Sequence, residues 1–369
     1  MEKNPDNQHI PPADGPGASV EQGDFDAQAR DRLARHFRGH GLAFDPEAPI
    51  TRLSGGFANR NYRTVVNGRD VVLRRPPDGP LPPGAHDMAR EHKILSHLCH
   101  ALPFIPEGLH LCADLSVIGV PFQLIEYRKG VSLNADTIER YMDRPNLPER
   151  LCTMLIDTLA RLHAVDAEAV GLGDLGRPDG FIARGIAGWA KRGALIAAGT
   201  PAAPHVEKIA ARLGAYPFAA RAPVLLHCDF KLDNLLLDPE TLEPVALVDW
   251  DMGTRGDPLF DLATLLSYWT EPGDPPALHA LRQMPTTRPG FWSRAEVAER
   301  YGACTGRSIA DLNAMYALAM LKLGVVFLQL HAQWANGAVS DPRYAEFGSM
   351  GADIIDLADA ASQTATDMT

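Results

Sequence analysis

Residues 224–234 read VLLHCDFKLDN and crowd four chemically capable groups into one turn-like segment: His227, Asp229, Lys231 and Asn234. Two further carboxylates, Asp249 and Asp251, follow the apolar run PVALV. Phosphoryl transfer turns on positioning and charge neutralisation rather than covalent chemistry. It needs a carboxylate to accept or orient a hydroxyl proton, oxygen ligands for Mg²⁺, and a cation for the outer phosphates. This segment holds all three kinds of group in a compact order. The plainer reading is that they are polar residues of surface turns after two strands.

The spacing H-x-D-x-x-x-x-N is that of kinase catalytic loops. On that pattern Asp229 is the catalytic carboxylate, facing a substrate hydroxyl, and Asn234 reaches Mg²⁺ from the same loop. Asp249 is the chief metal ligand, at the place of the Asp that opens D-F-G in protein kinases, and Asp251 is a candidate for a second metal. His227 braces the loop by side-chain hydrogen bonds. Lys231 is placed to touch the γ-phosphate, as a lysine there does in protein kinases.

Elements must position these groups. FDAQARDRLARHFRGHG (25–41) has helical periodicity and ends on Gly41, a plausible cap. Two β-rich runs follow, divided by Asn67-Gly68, a strong hairpin signal. AHDMAREHKILSHLCHAL is an amphipathic helix, and VIGVPFQLIEYRKG holds apolar strand. The pattern then turns mainly helical. The predicted fold class is α+β: residues 1–24 a disordered tail, 25–127 a small β-rich lobe, and 128–369 a larger, mainly helical lobe carrying the loop. The C-terminal segment after about Ala361 is polar and expected to fray. MYALAMLKLGVVFLQL (315–330) is short for a bilayer span and contains Lys322, so it reads as a buried helix.

The chain has 369 residues and a net charge of −11, which argues against nucleic acid or an anionic membrane as the main partner. Its five cysteines show no paired spacing, and the first residues lack an apolar signal region. A cytoplasmic location is therefore the expectation. His92, His97, Cys99 and His100 crowd one helix, but on different faces and with no second ligand pair, so zinc is not expected there.

Further motifs sharpen the reading. LVDWDMGTRGDPLFDLA and LARLHAVD, with HCDFKLDN, resemble the aminoglycoside phosphotransferase and choline kinase-like superfamily, from about Leu53 to about Gly337. LSGGFANRNYR, VVLRRPPDG with AHDMAREHKIL, and LKLGVVFLQLHAQWANGA resemble a bacterial subfamily related to the kinase-like domain fused to acyl-CoA dehydrogenases. The resemblance implies a bilobal, protein-kinase-like fold. It makes Ser54, Gly55, Gly56, Phe57 and Asn59 the nucleotide loop, where an ordinary tight turn is the alternative. Arg74 takes the place of the strand lysine that meets the nucleotide phosphates. Arg75 competes, because strand alternation would turn only one of the two inward. Glu91 becomes the salt-bridge partner of that arginine, and Gln123, Glu126 and Tyr127 fall where an interlobe hinge would contact adenine. His163 is structural, and Asp261 is expected to hydrogen-bond the catalytic loop from below.

The function expected is an ATP-dependent phosphotransferase that uses Mg²⁺ and passes the γ-phosphate to a hydroxyl of a small molecule. ATP and GTP are not separable from sequence, nor are monomer and homodimer. Protein phosphorylation is disfavoured: Gly256-Asp257-Pro258 follows Asp249 closely, leaving no room for an activation segment. The alternative is a nucleotide-binding pseudokinase or scaffold acting with a lipid- or acyl-metabolism partner. The resemblance implies an acceptor site built by helices of the larger lobe, with residues 131–147, 177–204 and 313–337 as its candidate segments.

Overall fold

A computed structural model describes residues 25–53, 59–77, 86–337 and 342–367. The chain divides into two compact units. One holds residues up to His92 together with Glu107–Tyr127, and the other Lys93–Pro106 with Arg128 onward.

The first unit is a sheet with a helix on one face. Helix α1 (Ala27–Gly39) starts at Asp26, whose carboxylate accepts the Ala29 N–H at 2.7 Å. Its last turn closes on Gly41, held at φ +73°, with the Leu42 N–H reaching back to the Phe37 carbonyl at 2.9 Å. Strands β1 (Thr51–Arg52), β2 (Arg60–Val66), β3 (Arg69–Arg75), β4 (Gly108–Cys112) and β5 (Phe122–Glu126) form an antiparallel sheet in the order β1-β2-β3-β5-β4. Asn67 and Gly68, both at positive φ, turn β2 into β3 as their sequence announces. Leu33 and Phe37 of α1 pack on Tyr62, Val71, Leu73, Phe122 and Leu124, the alternate residues of three strands. Helix α2 (Met88–Leu98) follows β3, and α3 (Leu115–Ile118) joins β4 to β5.

The second unit is mainly helical: α4 (Leu147–His163), α5 (Phe181–Ile196) and α6 (Ala203–Ala215) precede the loop segment. Strand β6 (Val224–Leu226) then pairs with β9 (Thr254–Gly256), and β7 (Leu235–Leu237) with β8 (Pro244–Leu247). Helices α7 (Leu259–Tyr268), α8 (Pro276–His279), α9 (Arg294–Thr305), α10 (Leu312–Ala335) and α11 (Phe347–Asp367) complete it. Residues 93–106 are fastened here by the Leu247 N–H to the Phe104 carbonyl at 2.7 Å and by Arg161 stacked over the Phe104 ring.

Two expectations change. The segment after Ala361 does not fray, because α11 continues to Asp367 with Ser362 and Ala365 buried. The apolar stretch belongs to the 24-residue α10, so length alone does not exclude a bilayer span. Burial explains its composition instead: 67% of its most apolar window lies inside the protein. Helix α11 packs along α10 at a glycine contact, where a methyl on Gly324 would meet the Gly351 carbonyl at 2.8 Å.

Candidate active site

The catalytic-looking loop is fastened at three levels. At its base, the Asp261 carboxylate on α7 accepts the N–H groups of His227 and Cys228, each at 2.7 Å, and His163 Nε2 stands 3.3 Å away. Asp261 and His163 are fully buried in side chain, and His163 Nδ1 meets the Tyr301 hydroxyl at 2.7 Å. Both behave as their sequence context suggests. Cys228 is held at φ +64°, a backbone that L residues adopt at a cost of about 1–2 kcal/mol, so its N–H bond to Asp261 acts against local strain.

Across the loop, His227 braces the chain as expected. Its Nε2 lies 2.9 Å from the Val248 carbonyl, so the hydrogen sits on Nε2, and its Nδ1 accepts the Asp229 N–H at 3.3 Å. Burial pushes the imidazole below its ordinary pKa, despite the acidic neighbours Asp261, Asp229 and Asp249, and it stays neutral. The Val248 N–H donates to the Asn234 carbonyl at 2.9 Å, beside the Leu235–Leu247 register of β7 and β8. Pairing therefore brings Asn234 and Asp249 to adjacent positions. Asp249 sits at φ +68° and caps the 3₁₀ turn Trp250–Met252, which carries Asp251.

At the top, donors converge on Asp229. Lys231 Nζ bonds its Oδ2, Asn234 Nδ2 reaches Oδ2 at 2.9 Å, and the Tyr268 hydroxyl reaches Oδ1 at 3.2 Å. Burial alone would raise this carboxyl, but Lys231 and Lys322 outweigh it and hold it at about 2. Lys231 also lies 4.9 Å over the Tyr268 ring. Two members of this group are not apparent from the loop motif. Lys322, buried in α10, bonds the Cys228 carbonyl, and burial lowers its own pKa despite Asp229. Its sequence signal is a lone lysine in an apolar helix. Tyr268, at the end of α7, has no comparable signal.

In the first unit, Arg74 Nε bonds Glu91 Oε2 at 2.7 Å, and Gln123 Nε2 reaches the same oxygen at 2.8 Å. Arg74 Nη1 also reaches Asn61 Oδ1 at 3.2 Å. Arg74 and Arg75 are both buried, so alternation does not send one of them to solvent. Arg75 continues the α1 face of Val71 and Leu73, while Arg74 faces Glu91 of α2. Gln123 does not sit at a hinge. It pairs with Arg74 of β3 on one side and Leu111 of β4 on the other, so its backbone lies inside the sheet and its side chain steadies Glu91. Glu126 closes β5, and its carboxylate accepts the Glu107 N–H at 3.1 Å. The Tyr127 ring lies 4.7 Å beneath the Arg63 guanidinium. Asn59 Oδ1 meets His86 Nδ1 at 2.8 Å. Ser54, Gly55, Gly56 and Phe57 lie outside the described residues.

Comparison with known proteins adds an independent line. Residues 49–299 match the model of a family described as phosphotransferase enzymes. Acyl-CoA dehydrogenase family member 10 of Mus musculus is 29% identical over 313 residues, covering 84% of this chain and 29% of that protein. Member 11 of the same family in Gallus gallus is 30% identical over 319 residues, covering 82% of this chain and 39% of that protein. The chain thus spans well under half the length of these curated relatives. Among solved structures, a Ralstonia eutropha protein named as a candidate aminoglycoside phosphotransferase superposes with a TM-score of 0.72 at 22% identity, over 90% of this chain and 98% of its own. An aminoglycoside phosphotransferase in ternary complex with AMP-PNP and hygromycin B gives 0.57 at 18% identity, over 90% and 98%. The fold is that of these kinase-like enzymes, with a small antiparallel sheet in one lobe and helices in the other.

Proposed function

The chain belongs to the phosphotransferase enzyme family, and from that premise we propose that it transfers the γ-phosphate of ATP to a hydroxyl of a small molecule. The observation that carries this reading is the Asp229 carboxylate, oriented by Lys231, Asn234 and Tyr268. Held at about 2, that carboxylate is ionised at any working pH. Such a group is a weak base, so its task is to align the acceptor hydroxyl. It takes the hydroxyl proton only as the new P–O bond forms and the bond to the nucleotide's β-phosphate oxygen breaks.

The donor set Asn234, Asp249 and Asp251 suits Mg²⁺. Asn234 spends its amide nitrogen on Asp229, which turns the amide oxygen the other way and makes the set all hard oxygen. These three residues would hold the ion, whose chemistry is to neutralise charge on the transferring phosphoryl group. Arg74, fixed by Glu91, would meet the nucleotide phosphates; a guanidinium carries five N–H donors, more than one carboxylate takes. Glu126 and Tyr127 are the residues proposed for the adenine side.

A screen of hydroxylated metabolites, hydroxyacyl compounds included, with ATP and Mg²⁺ tests the reading. Asp229→Asn should lower turnover of the acceptor so found by about 10²–10⁴-fold while nucleotide affinity is kept. Equal phosphorylation by this variant would overturn the assignment.

A further inference from the structure

Three imidazoles gather in the first unit, none of them among the residues assigned above. His36 lies in the last turn of α1 and His40 is the residue that caps it, four positions on, and their rings pack near one another at the end of the helix. His110 comes from β4, the edge strand of the sheet, on the same face as Cys112. One ring nitrogen from each lies within 4.8 Å of the other two. The Nε2 atoms of His36 and His110 are 2.9 Å apart, a hydrogen bond in which one ring donates and the other accepts, so an ion between them takes the place of that proton. Ring centroids stand 4.3 Å apart for His36 and His40, and 5.0 Å for His40 and His110.

The remaining ring nitrogens indicate what this arrangement suits. His40 Nδ1 lies 2.8 Å from the His36 carbonyl oxygen. A carbonyl only accepts, so Nδ1 carries the hydrogen and Nε2 presents its lone pair. Metal-ligating histidines are fixed in this way, one nitrogen donating to a backbone carbonyl while the other coordinates. His36 Nδ1 faces the Cys112 sulfur at 4.0 Å, which places the thiol at the ring edge opposite Nε2 and outside the donor set. Burial, then the neighbouring imidazoles, lower both His36 and His110, the latter to about 4. Both rings are therefore neutral near pH 7, the form that binds metal. A tetrahedral ion with Zn–N bonds of about 2.0–2.1 Å needs its nitrogens roughly 3.3 Å apart. The His36–His110 separation of 2.9 Å lies close to that value and the His40 nitrogen is within 4.8 Å of both, so side-chain rotations would complete the set.

We propose that His36, His40 and His110 form a binding site for a divalent transition ion of the zinc type, which ties the end of α1 to the edge strand β4. Nitrogen donors favour Zn²⁺, Co²⁺, Ni²⁺ or Cu²⁺ over Mg²⁺, so the site is chemically distinct from the oxygen set of the second unit. His40 is exposed, which leaves the fourth position accessible to water. The ion's task is to staple the helix to the sheet.

The test uses tag-free, chelator-treated full-length chain with Mg²⁺ in excess, so that oxygen sites do not compete. Zn²⁺ is titrated by calorimetry and Co²⁺ by its visible absorption. Wild type should take up one tight equivalent, show the intense bands of low-coordinate Co²⁺, and melt at a higher temperature with Zn²⁺. His110→Ala and His40→Ala should each weaken Zn²⁺ binding about tenfold or more and abolish the Zn²⁺-dependent rise in melting temperature. His40→Ala changes an exposed side chain, and circular dichroism checks that it is folded. Asp249→Asn should leave the Zn²⁺ equivalent intact. The site is refuted if wild type binds no equivalent tighter than folded His40→Ala does.

Discussion

Asp261→Asn would measure how firmly the catalytic loop is tied to its scaffold. The substitution keeps the shape of the side chain but removes its charge and one acceptor. In the native site Oδ2 takes the His227 N–H and Oδ1 the Cys228 N–H, each at 2.7 Å and fully buried. Asparagine offers one carbonyl oxygen, so its NH₂ group must face one of those N–H donors. An orphaned buried donor costs about 1–3 kcal/mol, and loss of charge assistance in the surviving bond costs about 1 more. The expected loss is about 3 kcal/mol. Urea unfolding followed by tryptophan fluorescence is well suited to it. All five tryptophans, at 189, 250, 269, 292 and 334, lie in the second unit, and the Trp250 ring packs on His227 with centroids 4.6 Å apart. The unfolding free energy of that transition should fall by the stated amount, and the native emission should shift as the loop relaxes. A loss below about 1 kcal/mol with unchanged native emission would show that Asp261 is not the tie described.

Four further outcomes are expected. Lys322→Met removes a cation from beside Asp229 and a donor from the Cys228 carbonyl; turnover should drop about 10–100-fold and the acid limb of kcat/KM should move to higher pH, with KM for nucleotide nearly unchanged. Arg74→Ala breaks a buried ion pair and should cost about 3–5 kcal/mol, read by thermal unfolding of the first unit; Arg74→Lys should keep the fold but weaken nucleotide binding in calorimetry. Gly324→Ala drives a methyl against the Gly351 carbonyl and should destabilise by about 1–2 kcal/mol in urea, the steric cost exceeding the helix-propensity gain. Because the Asp229 pKa is lowered to about 2, its contribution to stability is present above roughly pH 4 and lost as pH falls toward 2. An acid titration of Asp229→Asn against wild type should therefore converge in that window and run parallel above it.

How much was legible in the sequence depended on how far apart the cooperating residues lie. The loop residues His227, Asp229, Lys231 and Asn234 are close in the chain, so one motif announces them, and the structure holds them together. Arg74 and Glu91 were paired through a resemblance, and strand β3 with helix α2 brings them into contact. Gln123 was misplaced at a hinge because an apolar run does not reveal which of its residues lies inside a sheet. Lys322 sits far along the chain from Asp229, and its only mark is a charge in an otherwise apolar helix. The sequence crowds His92, His97 and His100 in and just after α2, where zinc is not expected. Among the described residues, the imidazoles that converge are those at 36, 40 and 110, from a helix and a distant edge strand. Spacing within a helix was visible there, but the third partner depends on tertiary packing.

Asp249 keeps a left-handed backbone that glycine would adopt at less cost, so the proposed ion-binding position stands against the preference of the chain. For directed evolution this has a practical edge. A library selected on heat resistance or expression alone, with no assay of turnover, would be drawn toward glycine at 249. On the proposed role of Asp249 such survivors would gain stability and lose the ion ligand, so selection for robustness in this chain has to be coupled to a readout of chemistry.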